Sequence, residues 1–393
     1  MNDDNWDIIR EENFPSLKEN IHLKAAGGSP LSRPAYEAGI KYFNDMYNHG
    51  DIFWEDYFKE LSDIKKTIAQ YINCRDNEIA FLINTSSCIN TISRLFKKCN
   101  LIYPEGEFPA SVHAFKKRGY NCFKLPKGKD YTYSLDTLEN IIKRKEIKIQ
   151  VHSHIQYLTG FRQDLHELGK ICLRNDVLNV INATQSFGAF PIDVKNENID
   201  VLVASGLKWL CCGYGIGILY LKSKHALENE LPFTSWLSVK TALDMDNNNI
   251  DVINETCSMD GFGGTPNFPA LLTLKGGFSL IKRIGKNNLD LGIKRIKKRI
   301  LNLTALFIDE IRNLGFNIIS PNDQKTRSGI VTIKHEGAHK IYSNLLDNHI
   351  FISLRNNPNS SNKEFLRFSF NFYNNQNDIQ KVIKILKKTN RKE

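Results

Sequence analysis

No stretch of this chain approaches the ~20 consecutive apolar residues that a bilayer-spanning helix needs, so nothing in it reads as a membrane anchor. The opening "MNDDNWDIIREENFP" is acidic and lacks an apolar segment, so it does not read as a secretory signal. Cytoplasmic residence is therefore expected. The eight cysteines, at 74, 88, 99, 122, 172, 211, 212 and 257, form no C-x-x-C pair. Cys211 and Cys212 are adjacent and ill-suited to bridging each other, so all eight read as reduced thiols, mostly in the core. Zinc-finger, RNP and basic-zipper patterns are missing too. The formal net charge of +10 therefore does not point to nucleic acid. Lysines are spread over helix faces, as in "IKRIKKRILN". No internal repeat and no low-complexity linker interrupts the chain.

What is present is an ordinary globular composition: 393 residues, 41% hydrophobic and 24% charged. That length supports a large core and two domains. From about residue 75, short apolar runs alternate with amphipathic ones. "EIAFLIN", "IKIQVHS", "VLNVINAT", "IDVLVASG" and "GIGILYLKS" read as strands, and "SSCINTISRLFKK" and "DLHELGKICLRN" as helices. This alternation predicts an α/β fold with a mainly parallel sheet covered on both faces, whose ligands sit at the carboxyl ends of the strands. Asn84, Asn182 and Ser205 all fall at such ends, on one rim. After about residue 270 the character changes. A long helical pattern ends near Gly315, and "GIVTIK", "IFISL", "EFLRFSF" and a last helix suggest a smaller α/β domain.

Several patterns could carry chemistry. In "INTSSCIN", Thr85 and Ser86 open a helix after a strand, where free N–H groups and hydroxyls suit an anion such as phosphate, or merely cap the helix. "HEGAH" at 335–339 matches a zinc-protease spacing. However, it follows a strand and contains Gly337, so it reads as a strand-to-helix turn. His152 and His154 share a strand face without a third ligand, and no metal site is expected. "GYGIG" and "GFGGTPN" lack the strand, helix and downstream acid of a dinucleotide site. Lys208 in "ASGLKW" and Asn182 in "NATQS" follow separate strands and can meet at the same rim. On the residues alone, Lys208 is either snorkelling or chemically active, and Asn182 is either a turn residue or part of a site.

Taken together, "SHIQYLTGFRQDLHELGKIC", "VINATQSFGAFPIDV" and "VLVASGLKWLCCGYGIGILY" resemble the class V aminotransferase family. These are fold-type I pyridoxal 5′-phosphate (PLP) enzymes that include cysteine desulfurases, isopenicillin N epimerase and kynureninase. The likeness runs from "HLKAAGGSPLS" to "LRFSFNFYNNQNDI". It implies a large PLP-binding domain (46–270) with a seven-stranded-type sheet, a small C-terminal α/β domain (271–393) and an N-terminal segment (1–45) packing on both. It also implies a homodimer with its active sites at the subunit interface.

By the same resemblance, Lys208 aligns with the lysine that forms the Schiff base with PLP. Thr85 and Ser86 match the phosphate-cradling turn, and Ser205 a further phosphate contact. Gln185 matches the residue that bonds the ring's phenolic oxygen. Phe108, in "EFPAS", resembles the aromatic stacked on the ring, and Thr265 a phosphate contact supplied by the neighbouring subunit. Arg367 matches the arginine that clamps the substrate α-carboxylate, a role that suits its planar fork. Tyr157 fits the kynureninase and epimerase branch and is expected to bind substrate.

The departures carry information as well. The family places Asp where this chain has Asn182, and Asn offers only an N–H to a neutral ring nitrogen. Carbanion stabilisation is therefore expected to be weaker. Leu207 stands where many relatives carry His or Tyr. "LRNNPNSSNKEF" holds no cysteine, which argues against persulfide chemistry there. The expectation is a PLP enzyme acting on an amino acid, with transamination first. A lyase or epimerase on the same scaffold, or a degenerate PLP-fold binding protein, is the alternative.

Overall fold

A computed structural model of the chain describes residues 4–244, 248, 251–356, 362 and 364–390. Its larger sheet has seven strands: β1 (Ile79–Leu82), β2 (Asn100–Pro104), β3 (Asn121–Leu125), β4 (Ile149–Ser153), β5 (Leu178–Asn182), β6 (Val201–Ser205) and β7 (Gly217–Leu221). The spatial order is β1-β7-β6-β5-β4-β2-β3. Pairing is parallel from β3 through β6. Only β7 runs against its neighbours, β1 and β6. Strands β1, β4, β6 and β7 are buried along their whole length. That is why β1, β6 and β7 read as nearly continuous apolar runs, whereas β4 alternates and buries Gln150 and His152 as well.

Helices cover both faces. The elements used below are α1 (Arg33–His49), α2 (Trp54–Ile72), α3 (Thr85–Leu95), α4 (Pro109–Lys117), α5 (Leu165–Arg174), α6 (Phe268–Ile284) and α7 (Leu289–Asn313). Their starts are chemically marked. The Asn84 side chain accepts the Ser87 N–H at 2.8 Å, and Asp164 accepts those of His166 and Glu167. "HEGAH" is a strand-to-helix turn, with a strand ending at Lys334 and a helix beginning at Ala338.

A second sheet, β8 (Asn317–Ile318), β9 (Ile330–Lys334), β10 (Ser353–Arg355) and β11 (Phe365–Ser369), is antiparallel in the order β10-β11-β9-β8. It has its own apolar core, which includes Phe307, Val331, Phe368 and Leu386. Helix α7 serves both cores, placing Ile293, Ile296 and Ile300 in the larger and Leu303, Phe307 and Ile311 in the smaller. The N-terminal residues touch both parts. Trp6 and Phe14 pack on Phe372, and Ile21–His22 pairs with Ile350–Phe351. Among the described residues, no helix is long and apolar enough to cross a membrane, and no three side chains group as a metal site.

Candidate active site

The carboxyl ends of β4, β5 and β6 open into one cavity of about 750 Å³. Its far wall is the end of β10 and the middle of β11, so the two sheets face each other across it. Nine of the ten residues named from the sequence line it: Thr85, Ser86, Phe108, Tyr157, Asn182, Gln185, Ser205, Lys208 and Arg367. Thr265 does not. It lies exposed on the loop before α6.

Lys208 stands in the 206–216 loop between β6 and β7. This loop is tightly packed: a Cβ on Gly206 would fall 2.1 Å from Cys212 Sγ. Burial pulls the Lys208 ammonium down to about 7, with help from the charges of Arg367 and Arg355. Its Nζ lies 5.8 Å from the centroid of the Phe108 ring, and Phe108 meets Tyr157 edge to face at 5.2 Å.

Arg367 comes from β11 and is almost wholly buried. It donates to the Tyr157 carbonyl at 2.7 Å and to Ser353 Oγ at 3.2 Å, while its Nε has no partner. Burial lowers it to about 9, so it stays charged at neutral pH. A buried guanidinium with no carboxylate beside it favours an anion in the cavity it lines. Arg355 lines the same wall, and its Nε is also unpartnered. The lining therefore holds Lys208, Arg355 and Arg367 and no carboxylate among the described residues.

At the opposite end, α3 points its N-terminus at the cavity. The N–H groups of its first turn have no carbonyl of their own helix to bond. Thr85 Oγ1 sits 3.0 Å from Thr184 Oγ1, and Ser205 Oγ donates to the Ile216 carbonyl at 3.0 Å. Gly217 allows this close approach, because a Cβ there would lie 2.4 Å from Asn84 backbone atoms.

Two buried amides complete the floor. Gln185 donates from Nε2 to the Ala26 carbonyl at 3.0 Å, and its Oε1 accepts from Trp209 Nε1 at 3.1 Å. Asn182 donates from Nδ2 to Ser111 Oγ at 2.8 Å, and its Oδ1 accepts the Thr184 N–H at 3.0 Å. Each amide thus has its orientation fixed by a partner that can act in only one way.

Sequence reasoning does not single out Arg355, Ser153, Thr184 or Tyr214, all of which line the cavity. Arg355 has a signal of the same kind as Lys208: a lone cation closing an apolar strand.

A family model described as aminotransferase class-V matches residues 21–382. An uncharacterized aminotransferase of Bacillus subtilis is 22% identical over 94% of each chain. A probable cysteine desulfurase of Pyrococcus abyssi is 24% identical over 86% of this chain and 84% of its own. Among solved structures, apo cysteine desulfurase from Thermococcus onnurineus NA1 superposes with a TM-score of 0.85 at 21% identity, covering 98% of both chains. The complex of the cystine C–S lyase C-DES with its product cysteine persulfide gives 0.83 at 16% identity, over 95% of this chain and 98% of its own. The fold expected from the sequence is the fold these structures share.

Proposed function

Because the chain belongs to the aminotransferase class-V family, we propose that it is a PLP-dependent enzyme that acts on an amino acid through Lys208, with amino-group transfer as its reaction. The observation that carries this reading is a lysine held close to neutrality, facing an aromatic ring in one cavity with a buried arginine and, among the described residues, no carboxylate in the lining.

The residues present fit the cofactor. The free N–H groups at the start of α3, with the Thr85 and Ser86 hydroxyls, would hold its phosphate, and Ser205 would join them by turning its hydroxyl from the Ile216 carbonyl. Phe108 would cover one face of the ring, Gln185 would donate to the phenolic oxygen, and Asn182 would meet the ring nitrogen. Lys208 would hold the aldehyde. When bound, the cofactor supplies an electron sink for a bond broken at the substrate Cα.

The rest of the work falls to the chain itself. Arg367 holds the α-carboxylate through the Nη hydrogens that its bonds to Tyr157 and Ser353 leave uncommitted, fixing which Cα bond faces the ring. Tyr157, held against Phe108, narrows the mouth around the bound amino acid. Lys208, once its amine is free, takes and returns a proton at Cα; a pKa near 7 suits both directions.

Amino-group transfer is favoured over sulfur chemistry because no thiol lines the cavity among the described residues. The sequence from Arg355 to Arg367 also has no cysteine. The protein works as a homodimer in the cytoplasm. Tyr36, Ile40, Phe43 and Tyr47 form an exposed apolar stripe along α1, which a second copy would cover while Thr265 reaches its site. All eight cysteines are free, in keeping with a reducing compartment.

The test is to incubate the full chain with PLP, reduce with borohydride and map the added mass. Trapping confined to Lys208, followed by bound pyridoxamine phosphate after one turnover with an amino acid, is the expected result. Labels scattered over surface lysines would overturn the reading.

A further inference from the structure

Glu107 is a buried carboxylate just outside the cavity, and the mechanism above gives it no role. It accepts the N–H of Phe108 at 2.7 Å and that of Ser153 at 2.9 Å. The Ser153 hydroxyl donates to it as well. So do Gln156 Nε2 at 3.1 Å and Ser111 Oγ at 3.3 Å. All these partners are donors, as a charged carboxylate requires.

The direction of the Ser111 bond has a consequence. A carboxylate cannot donate, so the Ser111 proton points to Glu107 and the Ser111 oxygen is left as an acceptor. It accepts from Asn182 Nδ2 at 2.8 Å. On the other side the Thr184 N–H can only donate, and it holds Asn182 Oδ1 at 3.0 Å. Asn182 therefore cannot flip. One Nδ2 hydrogen is committed to Ser111, and the second has no protein partner among the described residues. Asn182 lines the cavity. Glu107 is thus hydrogen-bonded both to the residue at the ring nitrogen's place, through Ser111, and directly to the backbone of Phe108.

We propose that Glu107 is a positioning residue. Through Ser111 it presents an Asn182 N–H donor to an unprotonated ring nitrogen, and through the Phe108 N–H it sets the covering aromatic. The negative charge that an acid at 182 would place against the ring is displaced to Glu107, one hydroxyl and one amide away. It orients a hydrogen bond and does not hold a proton on the ring. This inference rests on the PLP reading.

The experiment uses the full-length holoenzyme loaded with PLP that is ¹⁵N-labelled at the ring. The variants are Ser111→Ala, Glu107→Gln and Asn182→Ala, singly and paired. In the unaltered protein the ring-nitrogen signal should be that of an unprotonated, hydrogen-bonded pyridine. Ser111→Ala and Glu107→Gln should each shift that signal. Ser111→Ala should weaken cofactor binding about tenfold, as expected for one buried hydrogen bond, with little further loss in the Asn182→Ala background. Purely additive losses, or a nitrogen signal that does not move, would overturn the proposal while leaving the PLP reading intact. Failure to trap cofactor at Lys208 in the unaltered protein would overturn both. If Glu107→Gln does not fold, Ser111→Ala decides alone, since it removes one oxygen and leaves the carboxylate its other donors.

Discussion

Lys208 Nζ lies over the ring of Phe108, 5.8 Å from its centroid. The aromatic face favours an ammonium, while burial and the Arg367 and Arg355 charges oppose one and prevail. The amine is uncharged above its pKa, so covalent capture of PLP should speed up as pH rises, with a midpoint near 7. A pH series of borohydride-trapped protein measures this. A midpoint at the ordinary lysine value of 10.5 would contradict the geometry.

Arg367 is one of the cations that lower the lysine. Arg367→Leu should therefore raise the capture midpoint while leaving trapping at Lys208 possible. The same substitution should raise KM for the amino acid by roughly 10–100-fold, the value of a buried charge-assisted pair. Steady-state kinetics on an amino-acid panel read the second effect. A midpoint moving down would count against the electrostatic account.

Asn182→Asp puts an acid where the ring nitrogen is expected to lie and should allow that nitrogen to hold a proton. Exchange of the substrate Cα hydrogen in deuterated water should quicken severalfold, as followed by NMR. An unchanged or slower exchange would mean that the amide is not what limits the electron sink.

The stripe on α1 predicts assembly. Phe43 and Tyr47 are 57% and 89% exposed. Phe43→Glu combined with Tyr47→Lys should give monomers in sedimentation, with weaker PLP retention because Thr265 of a second copy no longer reaches the phosphate. A variant that stays dimeric at micromolar concentration places the interface elsewhere.

Asp260 anchors the loop that leads to Thr265. It pairs with buried Lys65 and accepts the Phe81 N–H at 2.7 Å. Burial pushes its carboxyl up, and Lys65 offsets part of that. Asp260→Ala strands the lysine and should cost about 3–5 kcal/mol in urea unfolding. Pairing it with Lys65→Met should recover much of the loss, and no recovery would mean the ion pair is not the source.

The sequence discloses five of the seven strands as short, mostly apolar runs, and three of them end in a polar residue that lines the cavity: Ser153 on β4, Asn182 on β5 and Ser205 on β6. It does not disclose β2, whose run NLIYP is short and closes on a proline, or β3, an edge strand whose Asn121 and Lys124 are exposed. Nor does it show that β7 runs against its neighbours, since periodicity carries no direction. Lys208, Asn182 and Arg367 are legible as polar residues at apolar strands. Glu107 is not. "EFPAS" names its aromatic, but the donors that make the acid matter, at 153 and 156, lie more than forty residues away and meet it only in the folded sheet.

The reversed strand β7 has a mechanical meaning. Eleven residues join Ser205 to Gly217, and both ends of that joint are hydrogen-bonded into the same sheet. Lys208 is therefore pinned like a stud between two rivets, at a set distance from Asn182. Arg367 rides on the other sheet, so any hinge between the two bodies would change its distance from Lys208 while the amine stays registered to Asn182.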